Sequence, residues 1–233
     1  QTLILITGRI EDMASIRASV EKRLGPSSYP DLPDTVLPQP HLDTAIPSQY
    51  RFENWVRPTI PFPFCLWSFQ APPLLSRDLA GFQVLKAFLE EQLLLAARQL
   101  MGRFHEPVHM DILENQNLFA SCLTLRVTTQ TPQALQTARA RIRDIMELAR
   151  TTRINATDLK RFRDRVRTEL YAQMADPHTR AILLAQHLSA FGNLRLLSSQ
   201  ERRLSRINSS DILSLSRQYL DRTRWTILNG YPR

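Results

Sequence analysis

Residues 78–104, DLAGFQVLKAFLEEQLLLAARQLMGRF, carry apolar side chains at Leu79, Phe82, Leu85, Leu89, Leu93, Ala96 and Leu100. Steps of three and four place these residues on one stripe of a single long helix, which Ser76 or Asp78 can cap. After Pro107 the period falls to two. VHMDIL and LFASCLTLRVTT then read as strands, joined by a turn at ENQN, 114–117, and paired as an antiparallel hairpin. A long helix feeding a hairpin constrains the fold strongly, because each element has one apolar face to bury and the two must cover each other.

The remaining elements fit around this pair. LILIT at 3–7 reads as a buried strand, and EDMASIRASVEKRLG as a helix with Met13, Ile16, Val20 and Leu24 on one face. Residues 26–50 are rich in proline and predict an extended connection. The runs within 51–71 predict one or two strands, with their prolines at the ends or on an edge. Thr131-Pro132 opens a helix through Ile142, Ile145 and Leu148, with Thr131 as its cap. Asn155 opens another, interrupted at Asp176-Pro177 and ending at Gly192. Ser209 or Ser210 caps a short helix, and RWTILNGY is a closing strand. The order indicates an α+β fold over residues 1–233 as one domain, with long helices on one face of a largely antiparallel mixed sheet.

Composition narrows the function classes. Hydrophobic residues make up 43% and charged residues 22%, an ordinary globular mix, and no apolar run approaches the length of a membrane span. Opening on a strand-like run without an initiator Met suggests a piece of a longer polypeptide. Cys65 and Cys122 are far apart, in apolar strand surroundings, and read as two buried free thiols. The net charge of +8 is nearly all arginine, without a cluster interleaved with aromatics. A basic nucleic-acid interaction module is therefore an alternative, and arginines scattered over helix faces are the plainer reading.

One motif invites a catalytic reading. His105-Glu106-Pro107-Val108-His109 satisfies H-E-x-x-H, in which two histidines one helical turn apart bind zinc and the glutamate acts as base. An autonomous metallopeptidase using His105, Glu106 and His109 is thus a second alternative. Pro107 weighs against it, because proline in a helix interior costs about 3 kcal/mol and disfavours α geometry at the preceding residue. The strand that follows would put Val108, Met110 and Ile112 on one face and His109 and Asp111 on the other. Glu147 and Glu169, the available third carboxylates, sit in patterned helices where a surface role is the default. His41, His178 and His187 fall in the proline-rich connection, at a helix restart and on an apolar helix. No G-x-S-x-G and no phosphate-binding glycine loop occurs.

Three stretches carry a resemblance: LILITGRIEDMASIRASVEKRLG, the helix 78–104 running into its hairpin, and INSSDILSLSRQYLDRTRWTILNG. In order and spacing the chain resembles the second half of an insulinase-like (pitrilysin-type, M16) zinc peptidase, a family that includes the mitochondrial processing peptidase. The resemblance implies a non-catalytic half-module that closes a chamber opposite a homologous half. Zinc is expected only in that companion half, on an inverted H-x-x-E-H motif that this chain lacks. It implies no metal and no catalytic residue here, a companion zinc-bearing half or homologous subunit as partner, and peptide as a possible substrate, held along a sheet edge. It also implies a periplasmic or other bacterial compartment. An isolated copy should dimerise or expose an apolar patch, for which 52–69 is a candidate. Active relatives lend an Arg and a Tyr, seven residues apart, to the substrate. Here the Arg is Arg103, and Met110 stands in place of the Tyr.

Overall fold

The computed structural model describes residues 12–24, 50–74, 76–116, 121–191 and 195–232. The strand expected at 3–7, the connection at 26–49 with His41, and the side chain of His187 lie outside the described residues. The chain divides into two compact units, one drawn from residues 1–44 and 171–194, the other from 45–170 and 195–233. In the first unit, helix α1 (Met13–Leu24) is capped by Asp12, whose carboxylate accepts from Ala14 N at 2.9 Å. Ile16 and Val20 are half-buried, while Met13, expected on the same face, is 69% exposed.

The second unit holds the sheet. Its strands are β1 (Arg51–Val56), β2 (Phe64–Ala71), β3 (His109–Asn115), β4 (Ser121–Thr128) and β5 (Thr226–Tyr231), in spatial order β1-β5-β2-β4-β3. β1 and β5 run parallel, and every other neighbouring pair is antiparallel. The mixed, largely antiparallel sheet read from the sequence is therefore present. The second unit also holds helices α2 (Leu79–Phe104) and α3 (Pro132–Thr151) and most of α4 (Ala156–Ala175), whereas α5 (Pro177–Phe191) belongs to the first unit; α6 (Arg195–Arg206), α7 (Ser209–Tyr219) and a short 3-10 turn at Arg222–Arg224 complete the second.

Alternation along the strands decides which face carries the helices. In β2, Cys65, Trp67, Phe69 and Ala71 are buried, whereas Phe64, Leu66, Ser68 and Gln70 are only half-buried. Paired residues share a face, so one row joins Ile112, Leu125, Trp67 and Ile227, and α2, α3 and α7 cover that side. All seven apolar positions read for α2 are buried. Truncating one of the fully buried leucines, such as Leu85 or Leu89, should cost about 2–5 kcal/mol. α7 approaches α2 closely at Gly81, where a Cβ would lie 2.4 Å from Leu215 Cδ1.

Helix ends follow local chemistry, with some departures from expectation. Thr131 caps α3 as read, its hydroxyl accepting from Ala134 N at 3.3 Å. At α2, Asp78 occupies the cap position without a capping bond, and its carboxylate instead accepts from Tyr219 O–H at 2.9 Å. α7 is capped by Asn208, neither by Ser209 nor by Ser210. Asn208 accepts from Ser210 N and Asp211 N, and Asp211 bonds back to Asn208 N, a reciprocal box that satisfies three otherwise orphan donors. Ser209 is diverted to the Ile154 carbonyl at 2.7 Å. Leu148, expected on the buried stripe of α3, is 40% exposed because the stripe turns through Ile142, Ile145, Met146 and Ala149. The turn expected at 114–117 starts later, since β3 runs to Asn115 with Glu114 tied by its carboxylate to Lys86 of α2 at 2.5 Å.

Candidate functional site at the helix-to-hairpin junction

α2 ends at Phe104. His105 then adopts a left-handed conformation, φ 55°, and donates its N–H to the Met101 carbonyl at 2.9 Å, closing the last turn. Such a cap normally takes Gly or Asn. Pro107 follows at once and prevents the helix from resuming. Arg103 lies in the final turn, where a cation favours the helix dipole, and its guanidinium sits 5.4 Å from the Phe104 ring centroid. Its side chain is otherwise exposed.

The H-E-x-x-H residues separate across this junction. His105 is exposed at the cap and His109 is exposed at the start of β3. Glu106 points to neither. Its Oε1 accepts from Gln130 N, Thr131 N and Thr131 Oγ1, each at 3.2 Å, clamping the junction to the first turn of α3. The other carboxylates considered as third ligands are also committed: Glu147 to Arg150 and Arg222, Glu169 to Arg165. Among the described residues, no group of three or more His, Cys, Asp or Glu side chains is arranged to hold a metal ion.

Register places the Arg-Tyr position as well. His109 pairs with Thr128, which in turn lies opposite Phe64, on the helix-free face together with Asp111 and Leu113. Met110 pairs with Val127 on the helix-bearing face and is buried. The residue seven beyond Arg103 therefore points into the core.

The helix-free face mixes apolar and polar side chains: Trp55, Leu66, Leu228 and Leu113 beside Ser68, Thr124, Arg126 and Asp111. Ser68 and Thr124 hydroxyls bond at 2.8 Å, and Arg126 and Asp111 form a bidentate ion pair that raises the Arg126 pKa. Cys122 is half-buried on this face, not buried as expected. Cys65 is buried on the other side, and burial pushes its thiol up to about 12, partly opposed by the charge of Arg139 and a hydrogen bond from Trp67 Nε1 at 2.9 Å. The aromatic segment 52–69 divides in the same way. Trp67 and Phe69 are core, while Phe52, Trp55, Val56 and Phe62 are each at least 41% exposed.

No protein-family model matches the chain, and no curated protein does. Solved structures do. A protease from Helicobacter pylori superposes with a TM-score of 0.77 at 14% identity over 97% of this chain and 54% of its own. An inactive peptidase domain from Bordetella parapertussis gives 0.58 at 19% over 76% of this chain and 94% of its own. The peptidase M16 inactive domain from Pseudomonas fluorescens gives 0.62 at 9% over 79% and 44%. The chain spans about half the length of the Helicobacter protease. With helices packed against one side of a mixed five-stranded sheet, the chain shares the fold of these M16 peptidase half-modules.

Proposed function

We propose that this chain, as one half-module, is the non-catalytic half of an M16-type zinc peptidase or of an inactive homologue. It closes the peptidase chamber opposite a zinc-bearing half and presents its helix-free sheet face to that chamber. One observation carries the reading. Within the second unit, α2, α3 and α7 pack on one side of the sheet, and the other side carries a mixed apolar and polar set of side chains. A face of that composition suits a wall that meets varied extended polypeptide. Zinc belongs to the companion half in this reading, and Arg103 contributes a peptide contact. On its own, the half would self-associate through the apolar side chains that its mate normally covers.

The autonomous metallopeptidase gains no support, since Glu106 is spent on α3 and Pro107 breaks the helix that would align the histidines. Nucleic-acid binding is likewise disfavoured, because Arg126, Arg161, Arg165, Arg167 and Arg222 are each paired with a carboxylate.

The test is reconstitution. The isolated chain is expected to bind no stoichiometric zinc and cleave no peptide, and adding the zinc-bearing half should produce a complex of one copy of each. Arg103→Ala in that complex should raise KM for peptide severalfold with a smaller effect on kcat. Stoichiometric zinc in the isolated chain, lost on His105→Ala, would overturn the reading.

A further inference from the structure

A pocket of about 380 Å³ opens where β1 and β5 begin, on the helix-bearing side of the sheet beneath α3. Tyr50, Trp67 and Trp225 supply its aromatic surface, and Arg143, Arg222 and Thr223 its polar groups. The two indoles meet with ring centroids 5.1 Å apart at 51°. Both are packed into the core, Trp67 at 1% and Trp225 at 4% exposure, so the aromatic wall is rigid.

The lining carries charge of one sign, two guanidiniums and no carboxylate. The nearby acids are already committed. Glu147 accepts from Arg222 at 2.9 Å and from Arg150, Asp221 accepts from Thr223 N at 3.1 Å, and Asp144 faces Arg141 at 3.9 Å. The Arg143 side chain makes no hydrogen bond or ion pair with any described residue. Trp225 contributes only an edge to the pocket, since its Nε1 is buried.

We infer that this pocket binds a small aromatic carboxylate. Its ring lies against Tyr50, over the floor formed by the edges of Trp67 and Trp225, and its carboxylate meets Arg143, whose planar fork matches two carboxylate oxygens. The same chemistry comes from a free aromatic acid or from the last residue of a peptide ending in an aromatic side chain. The site stands apart from the chamber reading, since it lies on the opposite side of the sheet from the helix-free face.

Phenylacetate and phenylacetamide share shape and differ in charge, so they form the decisive pair of probes. Binding to the full chain is followed by tryptophan fluorescence and calorimetry. Phenylacetate is expected to bind at least about tenfold more tightly than the amide, the contrast expected from one charge-assisted hydrogen bond. Arg143→Gln, at an exposed position, should remove that preference without moving the thermal midpoint. The tripeptide Ala-Ala-Phe with a free carboxylate separates the sources: tighter binding than phenylacetate assigns the site to polypeptide C-termini, and weaker binding assigns it to free acids. Equal affinity for acid and amide, no binding of either, or an Arg143→Gln protein that keeps the preference would overturn the inference.

Discussion

Replacing Glu106 separates the two roles that the sequence allowed it. As a zinc peptidase base, Glu106→Gln would abolish turnover and leave stability nearly untouched. As the clamp seen in the structure, Glu106→Ala removes the acceptor for two backbone N–H groups and one hydroxyl at 3.2 Å. A hydrogen bond to a charged group contributes about 1.5–3 kcal/mol. The bonds here are long, and water can replace the carboxylate at exposed Gln130, so the sum should be discounted to about 2 kcal/mol, including the favourable charge at the start of α3. For a chain of this size each kcal/mol moves the midpoint by roughly 2–4 °C, giving a fall of about 4–8 °C. Glu106→Gln keeps one acceptor oxygen and should lose about half of that. Calorimetry and urea denaturation read the effect, with peptidase activity and bound zinc measured on the same samples. An unchanged midpoint combined with loss of a measurable peptidase activity would refute the clamp and restore Glu106 as a base.

Gly230→Ala should destabilise by about 1–3 kcal/mol, because the added Cβ would lie 2.1 Å from a Phe64 ring carbon, whereas Gly81→Ala meets only the terminal methyl of Leu215 and should cost less by urea denaturation. Thiol labelling of the native protein should modify Cys122 and spare Cys65 until unfolding. With the Cys65 thiol raised from 9.0 to about 12, the native state keeps its proton while the unfolded chain releases it, so this residue's contribution makes stability fall as pH rises from 9.0 towards 12, which a Cys65→Ala comparison by denaturation should show. Met110→Tyr should cost about 1–3 kcal/mol by denaturation, since it forces a phenol hydroxyl against the core without a designed partner, while His109→Tyr, on the helix-free face, should be tolerated within about 0.5 kcal/mol.

Much of the fold was legible because its signals are local and periodic. The stripe of α2, the alternation of β2 and β4, the Thr131-Pro132 start and the Asp176-Pro177 break each depend on a few adjacent residues. What escaped depended on partners distant in sequence. Ser209 has a good cap's chemistry, yet the Ile154 carbonyl claims its hydroxyl and Asn208 takes the cap. Asp78 is claimed in the same way by Tyr219. Glu114 and Asn115 have turn-like neighbours, yet β4 supplies pairing partners that keep them in the strand. Leu148 fits a helical stripe to within a residue, and only the packing of α3 shows that Met146 and Ala149 take its place.

The candidate site shows a different limit. Counting seven residues from Arg103 crosses a helix end, a left-handed residue and a proline before reaching a strand of period two. Whether position 110 faces the sheet's open side or its core depends on where β3 begins, and a one-residue slip reverses the answer. Spacing alone carries no information about that parity. Pairing with β4 settles it, placing Met110 inward and His109, Asp111 and Leu113 outward. Asp111 is held by Arg126, and Leu113 is apolar. In the proposed chamber reading, polar contacts from this side of β3 fall to His109 and Asn115, and Arg103 lies at the junction before them. A tyrosine placed at 110 would therefore face the core, whereas one at 109 would face the other side of the sheet.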